Sequence, residues 1–168
     1  MSSKIIIPHV VTLTNLLLGI ISLLYTMNQQ YQIAAAVILI AVIMDGMDGR
    51  IARKLDVASS FGKELDSLCD LVSFGVAPAL LVYSSTLHNM GNIGLIIALT
   101  FAICGAIRLA RFNVLNITTH FVGIPITFAG TLMAVAILLS HRLPLAVFPL
   151  LTLLLSYLMV SNLKVPKY

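Results

Sequence analysis

Long apolar runs separated by short polar stretches dominate the chain. Residues 10–27, 93–109, 121–139 and 143–160 carry almost no charge. Each is close to the ~20 residues that a helix needs to cross a ~30 Å hydrocarbon layer. Two further runs, residues 33–44 and 71–83, are too short alone. They reach spanning length only if the helix continues through the polar stretch beside each, residues 45–54 and 62–70. The pattern therefore predicts six helices, with polar residues built into one end of the second and the third. The first run follows a single lysine, Lys4, but no small-residue cleavage site follows at residues 25–31, so a retained span is expected rather than a removed leader.

Composition agrees with the pattern. Apolar residues make up 60% of the 168 residues and charged residues only 10%, with a mean hydropathy of +1.06. A soluble domain of this size needs more charge to cover its surface, so the bilayer is the solvent. Residues 1–168 read as one all-α transmembrane domain, without repeat, low-complexity tract or linker. Cys69 and Cys104 lie within helical segments, at no spacing that suggests a metal or a disulfide, and read as small packing residues.

Charge gives the domain an orientation. Lys4, Arg50, Arg53, Lys54, Lys63, Arg108, Arg111, Lys164 and Lys167 all fall on one side of a six-helix arrangement. Only Arg142 falls on the other. The positive-inside rule makes the basic side cytoplasmic, with both termini inside, as an even number of spans requires. A pI of 9.3 then needs no nucleic acid to explain it, because a basic cytoplasmic face suits anionic lipid and nucleotide phosphates.

The acidic residues number six, and all lie between Asp45 and Asp70. Asp45 and Asp48 are spaced i, i+3 on the second helix; Asp66 and Asp70 are spaced i, i+4 on the third, so each pair shares a face. The connection, residues 55–61, is short enough to make the helices antiparallel, with the two faces opposed at the cytoplasmic boundary. Four carboxylates this crowded repel one another unless cations lie between them. Hard divalent ions such as Mg²⁺ or Mn²⁺ accept carboxylate oxygens, and a pair of them stabilises the charge of phosphoryl transfer. Gly49 and Ala52 stand one turn from the aspartates and Gly62 opens the third helix, so backbone or ligand can come close. Arg53 is placed to hold a phosphate through charge-assisted hydrogen bonds. A cation or proton transport pathway is the alternative use of such acids. Two features weigh against it: the cluster lies at the boundary rather than the midplane, and every other helix lacks an acidic residue. Asp56 and Glu64 lie off the paired faces and read as solvated charges. Of the dispersed histidines, His9 near the site reads as structural or interfacial, and His88, His120 and His141 fall in loops and carry no functional reading.

Written out, residues 45–70 read D-G-M-D-G-R-I-A-R, eight residues, then G-K-E-L-D-S-L-C-D. This resembles the signature of the CDP-alcohol phosphatidyltransferase family, D-x-x-D-G-x-x-A-R, eight residues, G-x-x-x-D-x-x-x-D. All eight fixed positions match: Asp45, Asp48, Gly49, Ala52, Arg53, Gly62, Asp66 and Asp70. D-S-L-C-D-L-V-S-F-G-V-A-P-A at residues 66–79 is similar to the branch of the family whose acceptor is L-serine. So are I-R-L-A-R-F-N at 107–113, F-V-G-I-P-I at 121–126 and the opening I-P-H-V-V-T-L-T-N-L-L-L-G at 7–19.

The resemblance implies a six-helix enzyme of the plasma membrane that carries a phosphatidyl group from CDP-diacylglycerol to an alcohol, with CMP leaving at the cytoplasmic face. It implies two ions, one on Asp45, Asp48 and Asp66 and one on Asp45, Asp66 and Asp70, with Asp70 also the general base. Gly49, Arg53 and Ser59 would contact the CDP moiety, and Thr12 and Asn15 would line the nucleotide site. Arg108 and Arg111, spaced i, i+3, are candidates for the serine carboxylate, against the simpler reading that they anchor a helix end near headgroups. Glycerol 3-phosphate or inositol phosphate as acceptor would demand more cations than serine. The family also suggests a homodimer.

Overall fold

A backbone in hydrocarbon must satisfy its own amides, and helices do so within one segment. The computed structural model describes residues 3–55, 59–115, 120–161 and 164–166, with side chains described for 9–47, 59–114 and 123–161. Among the described residues six helices carry the chain: α1 (Ser3–Met27), α2 (Tyr31–Leu55), α3 (Ser60–Ser85), α4 (Asn92–Leu115), α5 (Ile126–Leu138) and α6 (Val147–Val160). Among the described residues three segments are long and apolar enough to cross a membrane, His9–Met27, Ser60–Ser85 and Asn92–Val114. Tyr31–Met47, α5 and α6 are shorter apolar helices.

The second and third helices continue through their polar stretches, as the run lengths require. α2 passes without a break from Tyr31 to Leu55, so the aspartates ride on the end of an apolar rod. α3 likewise joins its polar start to its apolar half, but through a π-helical segment, Leu71–Val76, that begins one residue after Asp70.

The last two helices are shorter than the apolar runs that announce them. α5 starts at Ile126 rather than at 121, because His120–Val122 (β1) pairs antiparallel with Lys164–Pro166 (β2). Gly123 then turns the chain at φ +75°, where a side chain would strike the Met159 carbonyl oxygen, and Pro125 caps the helix. α6 starts at Val147 rather than at 143, after a turn in which the Val147 amide donates to Pro144 O at 3.0 Å. With 13 and 14 residues, these helices measure roughly 20 Å each.

α3 is the centre of the bundle and touches α1, α2, α4 and α5. Lipid supplies little drive for apolar side chains to associate, so close van der Waals contact between small residues must hold the helices. Ala34, Ala35, Ala77, Ala98, Ala129 and Ala134 are buried accordingly, around the fully buried rings of Phe74, Phe101 and Phe148. Gly130 lets α5 ride on α3: a Cβ there would lie 2.9 Å from Phe74 O and 3.0 Å from its Cα. Polar side chains reach across helices to backbone carbonyls, Ser22 Oγ to Ala34 O at 3.0 Å and Gln32 Nε2 to Ile137 O at 3.2 Å. Leu17, Leu24, Ile43, Ile96, Ile103 and Leu150 point outward as an apolar coat.

Candidate active site

Three of the four aspartates are described to their side chains, and the fold gathers them. Asp45 projects from α2, and Asp66 and Asp70 from successive turns of α3. One carboxylate oxygen from each lies within 4.8 Å of the others. Asp70 is buried; Asp45 and Asp66 are half-buried. Asp45 and Asp70 lie within hydrogen-bonding range of each other, where two ionised carboxylates repel unless a proton or a cation lies between them. Asp66 Oδ1 is buried with no hydrogen-bond partner, and buried polar atoms are rarely left so. An all-carboxylate set of hard oxygen donors with one lone-pair site unsatisfied fits a divalent ion such as Mg²⁺ or Mn²⁺. The trio is the one the family resemblance implies for the second ion. Asp48, Gly49, Ala52 and Arg53 sit on the α2 backbone, and their side chains lie outside the described residues.

α3 is started by its sequence. Ser59, extended at φ −124° and ψ 153°, caps the helix by accepting from the Gly62 amide at 3.0 Å. Its hydroxyl is thus engaged in capping. Gly62 lets α1 approach the same turn: a Cβ there would lie 3.2 Å from His9 Cε1. His9 stacks edge-on against Phe61 at 5.6 Å, which gives it a packing role beside the site.

α1 supplies a floor. Thr12 and Asn15 are both buried on the face turned to α3. Asn15 Nδ2 donates to Asp70 Oδ1 at 3.2 Å, and Ser73 Oγ donates to the Asn15 carbonyl at 2.9 Å.

α4 supplies two arginines. Arg108 is buried at 8% exposure and near enough to Asp70 for the two charges to interact. Its guanidinium lies 5.5 Å from the centre of the Phe112 ring, and Lys63 Nζ lies 5.4 Å from the same ring. Arg111, one turn on, is exposed and donates to Val160 O at 2.9 Å, satisfying a carbonyl at the end of α6. The two arginines therefore have different neighbours. Asn113, which the sequence did not single out, joins α4 to α3: its Nδ2 donates to Glu64 Oε2 and to Ser67 Oγ, each at 3.1 Å. Its only signal was membership of the I-R-L-A-R-F-N segment. Cys69 is buried within the bundle and Cys104 is half-buried.

An acidic trio that fits a divalent ion, held in an apolar bundle with a buried arginine beside it, is the equipment of an enzyme acting on phosphate at a membrane. The chain belongs to the CDP-alcohol phosphatidyltransferase family, whose sequence model matches residues 5–161. That membership and the three long apolar helices make it a membrane protein. It is similar to the CDP-diacylglycerol–serine O-phosphatidyltransferase of Helicobacter pylori strain 26695, with 38% identity over 96% of this chain and 72% of that one. The enzyme of the same name from Bacillus subtilis is 39% identical over 96% of this chain and 90% of its own length. That from Methanocaldococcus jannaschii is 40% identical over 98% and 75%.

Proposed function

We propose that this protein transfers the phosphatidyl group of CDP-diacylglycerol to the hydroxyl of L-serine, giving phosphatidylserine and CMP. The observation that carries the reading is the meeting of Asp45, Asp66 and Asp70 within 4.8 Å, on the helices that bear the family signature. The names of relatives similar over nearly the whole chain support serine as acceptor. Arg108 supports it too, as a buried cation near Asp70 that can take a carboxylate.

Asp45, Asp66 and Asp70 would hold one divalent ion, and Asp48 would join Asp45 and Asp66 around a second. Bound there, Mg²⁺ or Mn²⁺ would neutralise charge on the pyrophosphate oxygens as CMP departs. Asp70 takes the proton of the serine hydroxyl as that oxygen bonds to the phosphorus bearing diacylglycerol, and the bond from that phosphorus to the CMP oxygen breaks. Gly49 leaves room for the nucleotide phosphates, and Arg53 pairs with them. Arg108 orients serine through its carboxylate, with Lys63 as the second cation over Phe112. Arg111, engaged with α6, is the weaker candidate for that role. The proposal includes six spans in the plasma membrane, both termini and the site at the cytoplasmic face, and a homodimer that rests on the family resemblance alone.

The deciding measurement offers the purified protein Mn²⁺, CDP-diacylglycerol and a panel of labelled acceptors: serine, glycerol 3-phosphate and inositol phosphate. Label enters lipid with serine, and CMP is released in equal amount. Label from another acceptor in place of serine reassigns the acceptor, and no label with any acceptor or metal defeats the reading. Metal or proton flux into liposomes without nucleotide would restore the transport alternative.

A further inference from the structure

The Asn15 side chain sits where the nucleotide reading does not require it, against the proposed base. It is wholly buried, donates from Nδ2 to Asp70 Oδ1 at 3.2 Å, and comes from a helix 55 residues away in sequence. A neutral amide on an apolar helix is costly to bury, and it is retained where its hydrogen bonds are worth more than the burial. Its backbone is pinned as well. Ser73, itself fully buried, donates from Oγ to the Asn15 carbonyl at 2.9 Å. Gly19, one turn further along α1, makes that contact possible: a Cβ on Gly19 would collide with the Ser73 hydroxyl and lie 2.9 Å from its Cα. Asp70 and Ser73 flank the start of the π-helical segment Leu71–Val76, so α3 leaves ordinary α geometry just where it is tied to α1. Short π segments inside α-helices are frequent at functional sites.

We infer that Asn15 is a positioning residue for Asp70, held in place by Ser73 and Gly19, so that α1 sets the direction of the base and ligand carried by α3. The inference rests on the reading of Asp70 given above and assigns Asn15 a task other than lining the nucleotide. One Asp70 oxygen is restrained by the amide, so the carboxylate's remaining lone pairs keep a fixed aim. Asn15 Oδ1 is buried with no hydrogen-bond partner, which marks this amide as part of the site and not of the packing alone.

Asn15→Leu keeps the branching at Cγ and the number of heavy atoms and removes the donor. In detergent-purified protein, kcat should fall about 10- to 100-fold, while KM for CDP-diacylglycerol and for serine each stay within about threefold. Mn²⁺ binding without substrate, followed by the electron paramagnetic resonance of free Mn²⁺, should weaken about tenfold. Ser73→Ala should lower kcat in the same sense but less. If Asn15→Leu does not fold, Asn15→Ser, too short to reach Asp70, carries the same expectation. An unchanged kcat and Mn²⁺ affinity would overturn the inference. So would a loss confined to KM for CDP-diacylglycerol, which would return Asn15 to the nucleotide. Should the wild-type protein make no phosphatidylserine, the proposed function fails, yet the Mn²⁺ measurement still decides the tie between Asn15 and Asp70.

Discussion

A carboxylate does chemistry only when its neighbours settle its charge and its aim, and Asp70 has both kinds of neighbour. Asn15 holds one oxygen, Asp45 and Asp66 bring two further carboxylates, and Arg108 lies within electrostatic range. Asp70→Asn keeps the shape and removes the proposed base. It should lower kcat by about 10²- to 10⁴-fold, measured as labelled serine entering lipid, and near-normal turnover would exclude Asp70 as base. Arg108→Ala would remove the proposed charge-assisted contact with the serine carboxylate, worth about 1.5–3 kcal/mol, so KM for serine should rise at least tenfold with KM for CDP-diacylglycerol little changed. Arg111→Ala is the matched control, because that side chain is committed to Val160 O. A rise in serine KM from Arg111→Ala equal to that from Arg108→Ala would return both arginines to the acceptor. The carboxylates were legible from spacing because i, i+3 and i, i+4 pairs share a helix face whatever the fold. The Asn15–Asp70 contact was not, since two residues so far apart meet only through helix packing.

At the scale of the element, α2 and α3 were readable because neither apolar run could reach spanning length alone. The hydrophobic thickness of a bilayer forces the helix through the aspartates. α5 and α6 start later than their apolar runs for an equally physical reason. Residues 121–125 are apolar enough to be helical, but a strand partner near the C-terminus takes 120–122, and Gly123 and Pro125 end the extension. The π segment of α3 has no composition signature at all. Close contact between α3 and α5 depends on Gly130, where even a Cβ meets the Phe74 backbone. Gly130→Leu should therefore cost about 1–3 kcal/mol or more, visible as a lower unfolding temperature in detergent. An unchanged unfolding temperature would mean that the two helices separate more easily than this packing implies.

For the whole molecule, the site's charge balance and its side of the membrane are the testable quantities. Removing divalent ions with a chelator should abolish transfer, and Mn²⁺ or Mg²⁺ should restore it; activity surviving thorough chelation would reject the metal reading of the trio. In protein with Cys69 and Cys104 replaced by alanine, an impermeant maleimide should label Arg142→Cys on intact cells and Ser60→Cys only after permeabilisation. The reverse pattern would invert the proposed topology. By itself the sequence determined the solvent of this protein, the number of helical segments, the polar ends of α2 and α3, and which carboxylates share a helix face. Those follow from run length, composition and helix periodicity, which are local. Only the tertiary structure decided that α3 lies at the centre, that Arg108 and Arg111 part company, and that α1 reaches Asp70 through Asn15. Such contacts depend on which small residues let two backbones close to within a side chain's reach, and that is a property of pairs of helices.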